Sequence, residues 1–152
     1  MSFSILGTGH AVPERVVTND ELSHMVDTND EWISSRTGIR ERRVMTTESL
    51  TDLSVAAAKN ALENAGVTPQ ELDLIICATI QGDYLSPAEA CLIQKELGAS
   101  CPAFDVNGAC SGFVYALDVA DGYFARGRVK KVLVVASEAL SRVTDWSDRR
   151  TC

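Results

Sequence analysis

The sequence predicts an α/β protein with a mainly parallel sheet that carries helices on both faces. Strand-like and helix-like segments alternate through most of the chain, and this order requires right-handed crossovers between parallel strands. The strands predicted over 73–79 and 131–137 are apolar through their centres and do not alternate with polar residues. Such strands are typical of a sheet that is buried on both faces.

Five helices are predicted from capping signals and apolar spacing. Thr18 and Thr28 each begin a Thr-x-x-Glu capping box. Gly38, Gly66 and Gly98 are expected to end the second, third and fourth helices. The helices cover, in order, residues 21–26, 29–36, 49–65, 87–97 and 110–126. The fifth is expected to share one apolar face among Phe113, Val114, Leu117, Ala120 and Phe124.

Four strands complete the prediction. They cover residues 4–9, which end in a glycine turn, 73–79, 102–106 and 131–137. The basic run at 40–43 is predicted as a loop. No linker, repeat or low-complexity segment divides the 152 residues, so one domain is expected.

Composition excludes some classes of partner. The net charge of −7, from 14 basic and 21 acidic residues, argues against nucleic acid, because phosphate binding requires a basic surface. No apolar run is long enough to span a membrane. The first residues lack the basic start of a signal peptide, so a cytoplasmic protein is expected.

Cysteine spacing predicts free thiols. No two of the five cysteines are spaced as a metal knuckle or a redox pair, and in a reducing compartment they stay reduced. No metal and no cofactor are expected. Cys77 and Cys91 are interpreted as small buried hydrophobic residues, Cys101 is expected to be structural, and Cys152 carries no signal.

Cys110 is the candidate nucleophile. It follows a predicted strand and a turn of small residues, and it is expected to begin the fifth helix. Free N–H groups at a helix start favour a thiolate and can stabilise an oxyanion. A buried structural cysteine is the competing interpretation. His10 and His24 are interpreted as surface residues, so the base that such a thiol usually needs is missing from the chain.

The segment around Cys110 resembles the active-site segment of β-ketoacyl-acyl carrier protein synthase III, a family of the thiolase superfamily. The Asp-x-Trp-Ile-x-x-Arg-Thr-Gly-Ile run that begins at Asp30 is equally specific. Further motifs follow the family's order and spacing at residues 7–13, 27–33, 36–42, 101–105 and 148–149. The resemblance implies a thiolase-like fold, of which residues 1–152 form the N-terminal half, truncated before its last strand.

The resemblance also implies a reaction, the initiating Claisen condensation of type II fatty acid synthesis. An acyl-CoA would acylate Cys110, and malonyl-acyl carrier protein would then decarboxylate and attack the thioester. Family members are homodimers about twice as long as this chain. Their catalytic His and Asn lie in the half that is absent here. The isolated chain is therefore expected to be inactive, and to be ordered only when the missing half is bound.

Residues for coenzyme A binding carry over by position. Trp32 resembles the residue that stacks on the adenine, an arrangement that suits a planar indole. Arg36, Thr37, Thr28 and Arg149 match positions that line the entrance for the nucleotide and pantetheine, where arginine can pair with phosphates. As single residues, each of these would more often be packing or surface charge.

The acyl pocket departs from the family pattern. Ser86 stands where the family commonly has a Phe, which predicts a roomier pocket or one filled by Leu85 or Tyr84. Leu140 matches another position that lines the pocket. This departure keeps open a related thiolase-fold synthase that uses another acyl-CoA or a polyketide starter. A non-enzymatic half-domain that binds coenzyme A also stays open. A dinucleotide-binding domain is discounted because Val12 stands where a third glycine is needed.

Overall fold

The computed structural model describes residues 3–151, which divide into two compact units. The first unit comprises residues 3–11 and 49–138, and the second comprises 12–48 and 139–151. The elements in chain order are β1 (Arg15–Thr18), α1 (Asn19–Ser23), α2 (Asp30–Thr37), β2 (Glu41–Val44), α3 (Leu50–Ala65), β3 (Leu74–Ala78), α4 (Glu89–Leu97), β4 (Ala103–Val106), α5 (Gly112–Ala125) and β5 (Val132–Ala136). Single 3₁₀ turns lie at Pro69–Glu71, Ala109–Ser111 and Leu140–Arg142.

The first unit is built on a parallel sheet of order β4-β3-β5. All five residues of the central strand β3 are buried, because its two faces are covered by different helices. Ile75 and Cys77 pack in one apolar cluster with α3 and α4, and Leu74 and Ile76 pack in another with α5. The predicted parallel α/β core is confirmed. The strand predicted over 131–137 is β5, which is fully buried only at Leu133 and Val135.

Helix α3 follows its sequence signals closely. Ser49 accepts a hydrogen bond from Asp52 N and Asp52 binds the Ser49 backbone, so the capping box is complete. Gly66 ends the helix in the left-handed conformation with φ 64°. Helix α4 begins later than predicted, at Glu89, because the Asp105 carboxylate at the end of β4 accepts from the Glu89 and Ala90 amides, both at 2.8 Å.

The strand predicted over 4–9 is wrong. No strand of residues 3–151 pairs with this segment, and an isolated segment has no ladder to join. It lies against α3 instead, where a Cβ on Gly9 would come within 2.3 Å of the Ala57 carbonyl oxygen. An apolar groove of about 360 Å³ is lined by this segment, α3, α5 and β5.

The second unit contains an antiparallel pair, β1 with β2, in which Arg15 lies opposite Val44. The basic run predicted as a loop is therefore mostly strand. Thr18 caps α1, which covers 19–23 and not the predicted 21–26. Helix α2 is capped by Asn29 and not by Thr28, because Asn29 Oδ1 accepts from Trp32 N at 2.7 Å. No helix within residues 3–151 has the length and apolar character needed to cross a membrane.

Candidate active site

Cys110 lies in a tight turn that precedes α5. The prediction that it begins the helix is wrong by two residues, since Ala109–Ser111 form a 3₁₀ turn and α5 begins at Gly112. Ser111 N donates to the Gly108 carbonyl at 3.0 Å, which closes this turn before the regular helix can start. The Cys110 side chain is exposed. We call residues 108–112 the Cys110 turn.

The Cys110 turn carries backbone strain. Ala109 has φ +46°, and it is the one residue other than glycine with positive φ in the described chain 3–151. The left-handed conformation costs an L-residue roughly 1–2 kcal/mol. A Cβ on Gly108 would lie 2.5 Å from Tyr115 Cδ2, so the Tyr115 ring packs directly on the backbone of the turn. Strained residues of this kind cluster at functional sites.

The other described cysteines are less accessible than Cys110. Cys77 and Cys101 are buried, and burial raises the pKa of both thiols. Cys91 is half-buried, and its Sγ lies 3.6 Å from the Ala103 carbonyl oxygen. Cys152 lies outside the described residues. Among the cysteines within 3–151, Cys110 alone is exposed to an incoming acyl group.

The described residues include no histidine hydrogen-bonded to Cys110 that could act as its base. His10 and His24 are both exposed, as predicted. Within residues 3–151, no hydrogen bond joins either imidazole to Cys110. No group of three or more His, Cys, Asp or Glu side chains in that range is placed to hold a metal ion. The described part of the chain thus presents a candidate nucleophile in its turn, with no imidazole hydrogen-bonded to it.

A second cluster of predicted site residues forms in the second unit. The guanidinium carbons of Arg36 and Arg149 lie 4.5 Å and 5.3 Å from the centroid of the Trp32 ring. Arg36 also donates to the Trp32 carbonyl at 3.2 Å, and Arg149 to the Asp27 carbonyl at 3.2 Å. Trp32, Arg36 and Arg149 are termed the indole–guanidinium cluster. It joins an aromatic surface to two cations, the combination that a nucleotide requires.

The two threonines predicted beside this cluster differ in their free hydrogen-bonding capacity. Thr28 Oγ1 is buried and has no hydrogen-bond partner among residues 3–151. The Thr37 hydroxyl donates to the Ile33 carbonyl at 2.8 Å and accepts from Ile39 N at 3.0 Å. Thr37 therefore stabilises the end of α2, whereas Thr28 keeps its hydrogen-bonding capacity.

The predicted acyl-pocket residues lie in different units. Ser86 is exposed in the segment between β3 and α4, and Leu140 is 59% exposed in a 3₁₀ turn of the second unit. Tyr84 and Leu85 are 63% and 101% exposed. Leu85 is therefore fully exposed, and Tyr84 and Ser86 are exposed for a large part of their surface.

Three residues that position the Cys110 turn and its neighbours carried no local sequence signal. Tyr115 packs on Gly108, Asn107 Nδ2 donates to the Ile80 carbonyl at 3.2 Å, and Asp83 binds the start of α3. The predicted apolar face of α5 packs only in part, since Ala120 is buried and Phe124 packs against the core. Small residues are buried there, namely Gly112, Ala116 and Ala120, whereas Phe113 and Val114 are exposed. A stripe of small residues four apart was the available signal for this close packing.

Comparison with known proteins identifies relatives of this chain. Residues 104–152 match the family described as 3-Oxoacyl-[acyl-carrier-protein (ACP)] synthase III. The chain is 55% identical over 150 residues to the β-ketoacyl-[acyl-carrier-protein] synthase III of Xanthomonas campestris pv. campestris, covering 97% of this chain and 46% of that protein. The chain thus spans about half the length of the curated relatives it matches.

Solved structures give the same result for the fold. The 3-oxoacyl-[acyl-carrier-protein] synthase III of Aquifex aeolicus superposes with a TM-score of 0.97 at 49% identity, covering 99% of this chain and 49% of that one. The priming β-ketosynthase of the R1128 polyketide pathway gives 0.91 at 41% identity, covering 95% and 44%. The predicted resemblance and fold class are confirmed. The chain is similar over nearly its whole length to β-ketoacyl-[acyl-carrier-protein] synthase III proteins and corresponds to about half of such a protein.

Proposed function

We propose that this chain is the acyl-accepting part of an enzyme that starts fatty acid synthesis. Cys110 loses its proton, and its thiolate attacks the carbonyl of an acyl-CoA. A new C–S bond forms, the C–S bond to coenzyme A breaks, and coenzyme A leaves as a thiolate that takes up the proton Cys110 released. Malonyl-acyl carrier protein then loses CO₂, and its carbanion attacks the acyl-cysteine. A C–C bond forms, Cys110 is released, and the product is a β-ketoacyl-acyl carrier protein. The exposed Cys110 in its strained turn, within a chain similar to β-ketoacyl-[acyl-carrier-protein] synthase III proteins, carries the proposal.

The first turn of α5 is proposed to stabilise negative charge beside the thiol through its amides, other than those of Ser111 and Gly112, which donate to the Gly108 and Ala109 carbonyls. The first N–H groups of a helix have no partner within it, and they favour negative charge. An oxyanion that forms on an acyl carbonyl near Cys110 would gain hydrogen bonds from such groups. No metal or cofactor enters this scheme, because the acyl-CoA is a substrate.

The indole–guanidinium cluster is proposed to bind the nucleotide of coenzyme A. Both guanidinium groups already lie over the indole, so an adenine would reach the ring by displacing one of them. The displaced guanidinium would remain close to the phosphates. Thr28 would donate its unpartnered hydroxyl at the same entrance, and Thr37 would act indirectly by fixing the end of α2.

Catalysis is proposed to require a complementary half that supplies a His and an Asn for decarboxylation. The apolar groove beside β5 is proposed to receive part of it, which would cover an exposed sheet edge. The working particle is proposed to be a cytoplasmic homodimer. Free cysteines at 77, 91, 101 and 110 support a reducing compartment.

Acyl labelling tests the proposal. The chain would be co-expressed with the unmatched part of the Xanthomonas campestris relative, and this pair is termed the complemented protein. After incubation with radiolabelled acetyl-CoA, peptide mass mapping should find one acyl group on Cys110. Label on another cysteine would contradict the assignment. Coenzyme A binding without any label would favour the non-enzymatic half-domain.

A second candidate function is a priming synthase with a larger or branched starter. Ser86 and the exposed Leu85 favour it, because neither residue fills space within its own unit. Rates of labelling by acetyl-, isobutyryl- and hexanoyl-CoA would separate the two functions. Small apolar differences between substrates allow discrimination of ~10–200-fold. If acetyl-CoA labelled the protein faster than the larger acyl-CoAs by more than this, the larger starter would be contradicted.

A further inference from the structure

The segment 80–88 connects β3 to α4 and is held at its start by two side chains. Ile80 N donates to Glu138 Oε1 at 2.9 Å, and the Ile80 carbonyl accepts from Asn107 Nδ2 at 3.2 Å. Farther along, Tyr84, Leu85 and Ser86 are exposed. The position of these exposed residues therefore depends on what holds the middle of the segment.

Asp83 is the attachment point in the middle. Its carboxylate accepts from Leu50 N at 3.1 Å and from Thr51 N at 2.8 Å. These amides begin α3, where an anion is favoured. The Asp83 backbone amide points the other way and donates to Glu89 Oε2 at 3.3 Å. One turn thus connects the start of α3 to the first residue of α4.

Glu89 is the buried member of this arrangement. It is 1% exposed, although a glutamate in the first turn of a helix normally reaches water. A Cβ on Gly82 would come within 2.7 Å of Glu89 Oε2, so the carboxyl packs directly on the Gly82 backbone. Glu89 Oε1 is buried and has no partner with hydrogen-bond geometry among the described residues.

The surroundings of Glu89 disfavour its charge. Burial is the main cause that raises the pKa of its carboxyl, and the carboxylates of Asp83 and Asp105 act in the same direction. The Cys77 thiol also faces it from β3. The Asp83 backbone amide, and after it the Thr51 hydroxyl on α3, lower the pKa. Thr51 Oγ1 is a buried atom that makes no hydrogen bond of good geometry among residues 3–151. A neutral Glu89 has an O–H to donate to Thr51, which would satisfy both atoms.

We propose that Glu89 is a positioning residue that holds the Gly82–Asp83 turn through its buried carboxyl and thereby sets which acyl chains segment 80–88 admits. The last step rests on the proposed function, because it requires that Ser86 and its neighbours line the acyl pocket. The first step rests only on burial and contacts within the first unit.

Three variants of the complemented protein test this proposal. Glu89→Gln keeps the shape and neutrality of the side chain, and Glu89→Ala removes the contact. Glu96→Gln, on the exposed side of the same helix, is the matched control. In Glu89→Ala, hydrogen exchange of the Asp83 amide should rise by about tenfold, the effect of losing one hydrogen bond. The ratio of isobutyryl-CoA to acetyl-CoA labelling should change by about tenfold.

A pH series separates positioning from packing. The folded-state pKa of Glu89 is raised above 4.5, so stability from its neutral form is complete below that pH and is lost as pH rises through the folded pKa. Glu89→Gln should remove this loss, and Glu96→Gln should keep it. A wild-type pH slope in Glu89→Gln, unchanged exchange in Glu89→Ala, or raised exchange with an unchanged labelling ratio would each overturn the proposal. Absence of any acylation would instead refute the proposed function, while exchange and pH slope would still decide the role of Glu89.

Discussion

The interactions that stabilise the interior of each unit differ between the two units. In the first unit, Ile75, Ile76 and Cys77 are completely buried in the central strand between helices. In the second unit, a small apolar cluster is accompanied by Asn19, which is 1% exposed. Asn19 donates to Asp30 Oδ1 at 2.7 Å and accepts from Arg42 at 2.6 Å.

This difference matches what each unit presents. The first unit holds a thiol on a strained turn, and close apolar packing is the force that resists relaxation of strain. The second unit holds two guanidinium groups over an indole, and charged hydrogen bonds orient such groups. The two proposed roles, positioning of the Cys110 sulfur and binding of coenzyme A, thus depend on different kinds of interaction.

The largest effect should come from the thiol. Cys110→Ser should lower acyl labelling of the complemented protein by at least about 10³-fold, as losses of nucleophiles do. Coenzyme A binding should persist, since it is assigned to the other unit. Cys91→Ser is the control and should label normally. Equal losses of acyl labelling in Cys110→Ser and Cys91→Ser would contradict the assignment of the nucleophile to Cys110.

The apolar core should respond next. Ile76→Ala removes a buried side chain from the central strand, and such deletions cost about 2–5 kcal/mol of unfolding free energy. Urea denaturation of the complemented protein measures the change. Ile80→Ala, at an exposed position just past the same strand, is the control. If Ile76→Ala lost less unfolding free energy than Ile80→Ala, the sheet would not be the main stabilising element of the first unit.

The polar network should respond more weakly. Asn19→Ala leaves Arg42 and Asp30 without a shared partner, which should cost about 1–3 kcal/mol. Coenzyme A affinity should fall with it, because α2 carries Trp32 and Arg36 of the indole–guanidinium cluster. Tryptophan fluorescence during denaturation would report this unit, since both tryptophans lie in it. An increase in stability would contradict the structural role of Asn19.

The indole–guanidinium cluster should affect binding only. Trp32→Ala should weaken coenzyme A binding by ~1–3 kcal/mol, the usual value of one base–aromatic stack. Arg149→Ala should weaken it and reduce its salt dependence. Arg126→Ala, which removes a similar contact over Tyr123 at 5.7 Å, is the control. Calorimetric titration with coenzyme A measures all three, and equal effects would refute the assignment.

The smallest effect should come from relaxing the Cys110 turn. Ala109→Gly removes the cost of positive φ but adds backbone entropy to the unfolded chain, so stability should change by less than about 1 kcal/mol. Labelling of Cys110 should slow, because the turn would no longer fix the sulfur. Gly122→Ala on α5, where a Cβ meets nothing within 4 Å, is the control. Faster labelling in Ala109→Gly would show that the strain is incidental.

Much of the fold could be predicted because its signals are local. Ser49 and Gly66 mark the ends of α3, and the apolar run of β3 is buried as expected. The hairpin of β1 and β2 was missed because the Glu-Arg-Arg-Val run of β2 has the composition of a loop. Its pairing depends on a strand distant in sequence, in which Arg15 lies opposite Val44 and Thr18 opposite Glu41.

The site was only partly predictable for the same reason. Cys110 stood out by its position between a strand and a helix, and Trp32 by its motif. The left-handed Ala109 could not be foreseen, since alanine carries no signal for positive φ. Glu89 was equally hidden, because an acidic residue early in a helix normally indicates an exposed N-terminus. Its burial follows from Gly82 and Asp83, which only the folded chain brings beside it.

The open groove beside β5 has a consequence for how the protein assembles in a cell. If the groove receives part of the complementary half, as proposed, a segment covalently joined to this chain would meet it at an effective concentration of about millimolar order. A separate polypeptide meets it only at its own cellular concentration, in competition with the exposed edges of other copies. Linkage in one chain therefore makes docking into the groove nearly unimolecular, so that it would be faster than the intermolecular aggregation that competes with it. Synthesis of both halves as one polypeptide would give the higher yield of ordered protein for that reason alone.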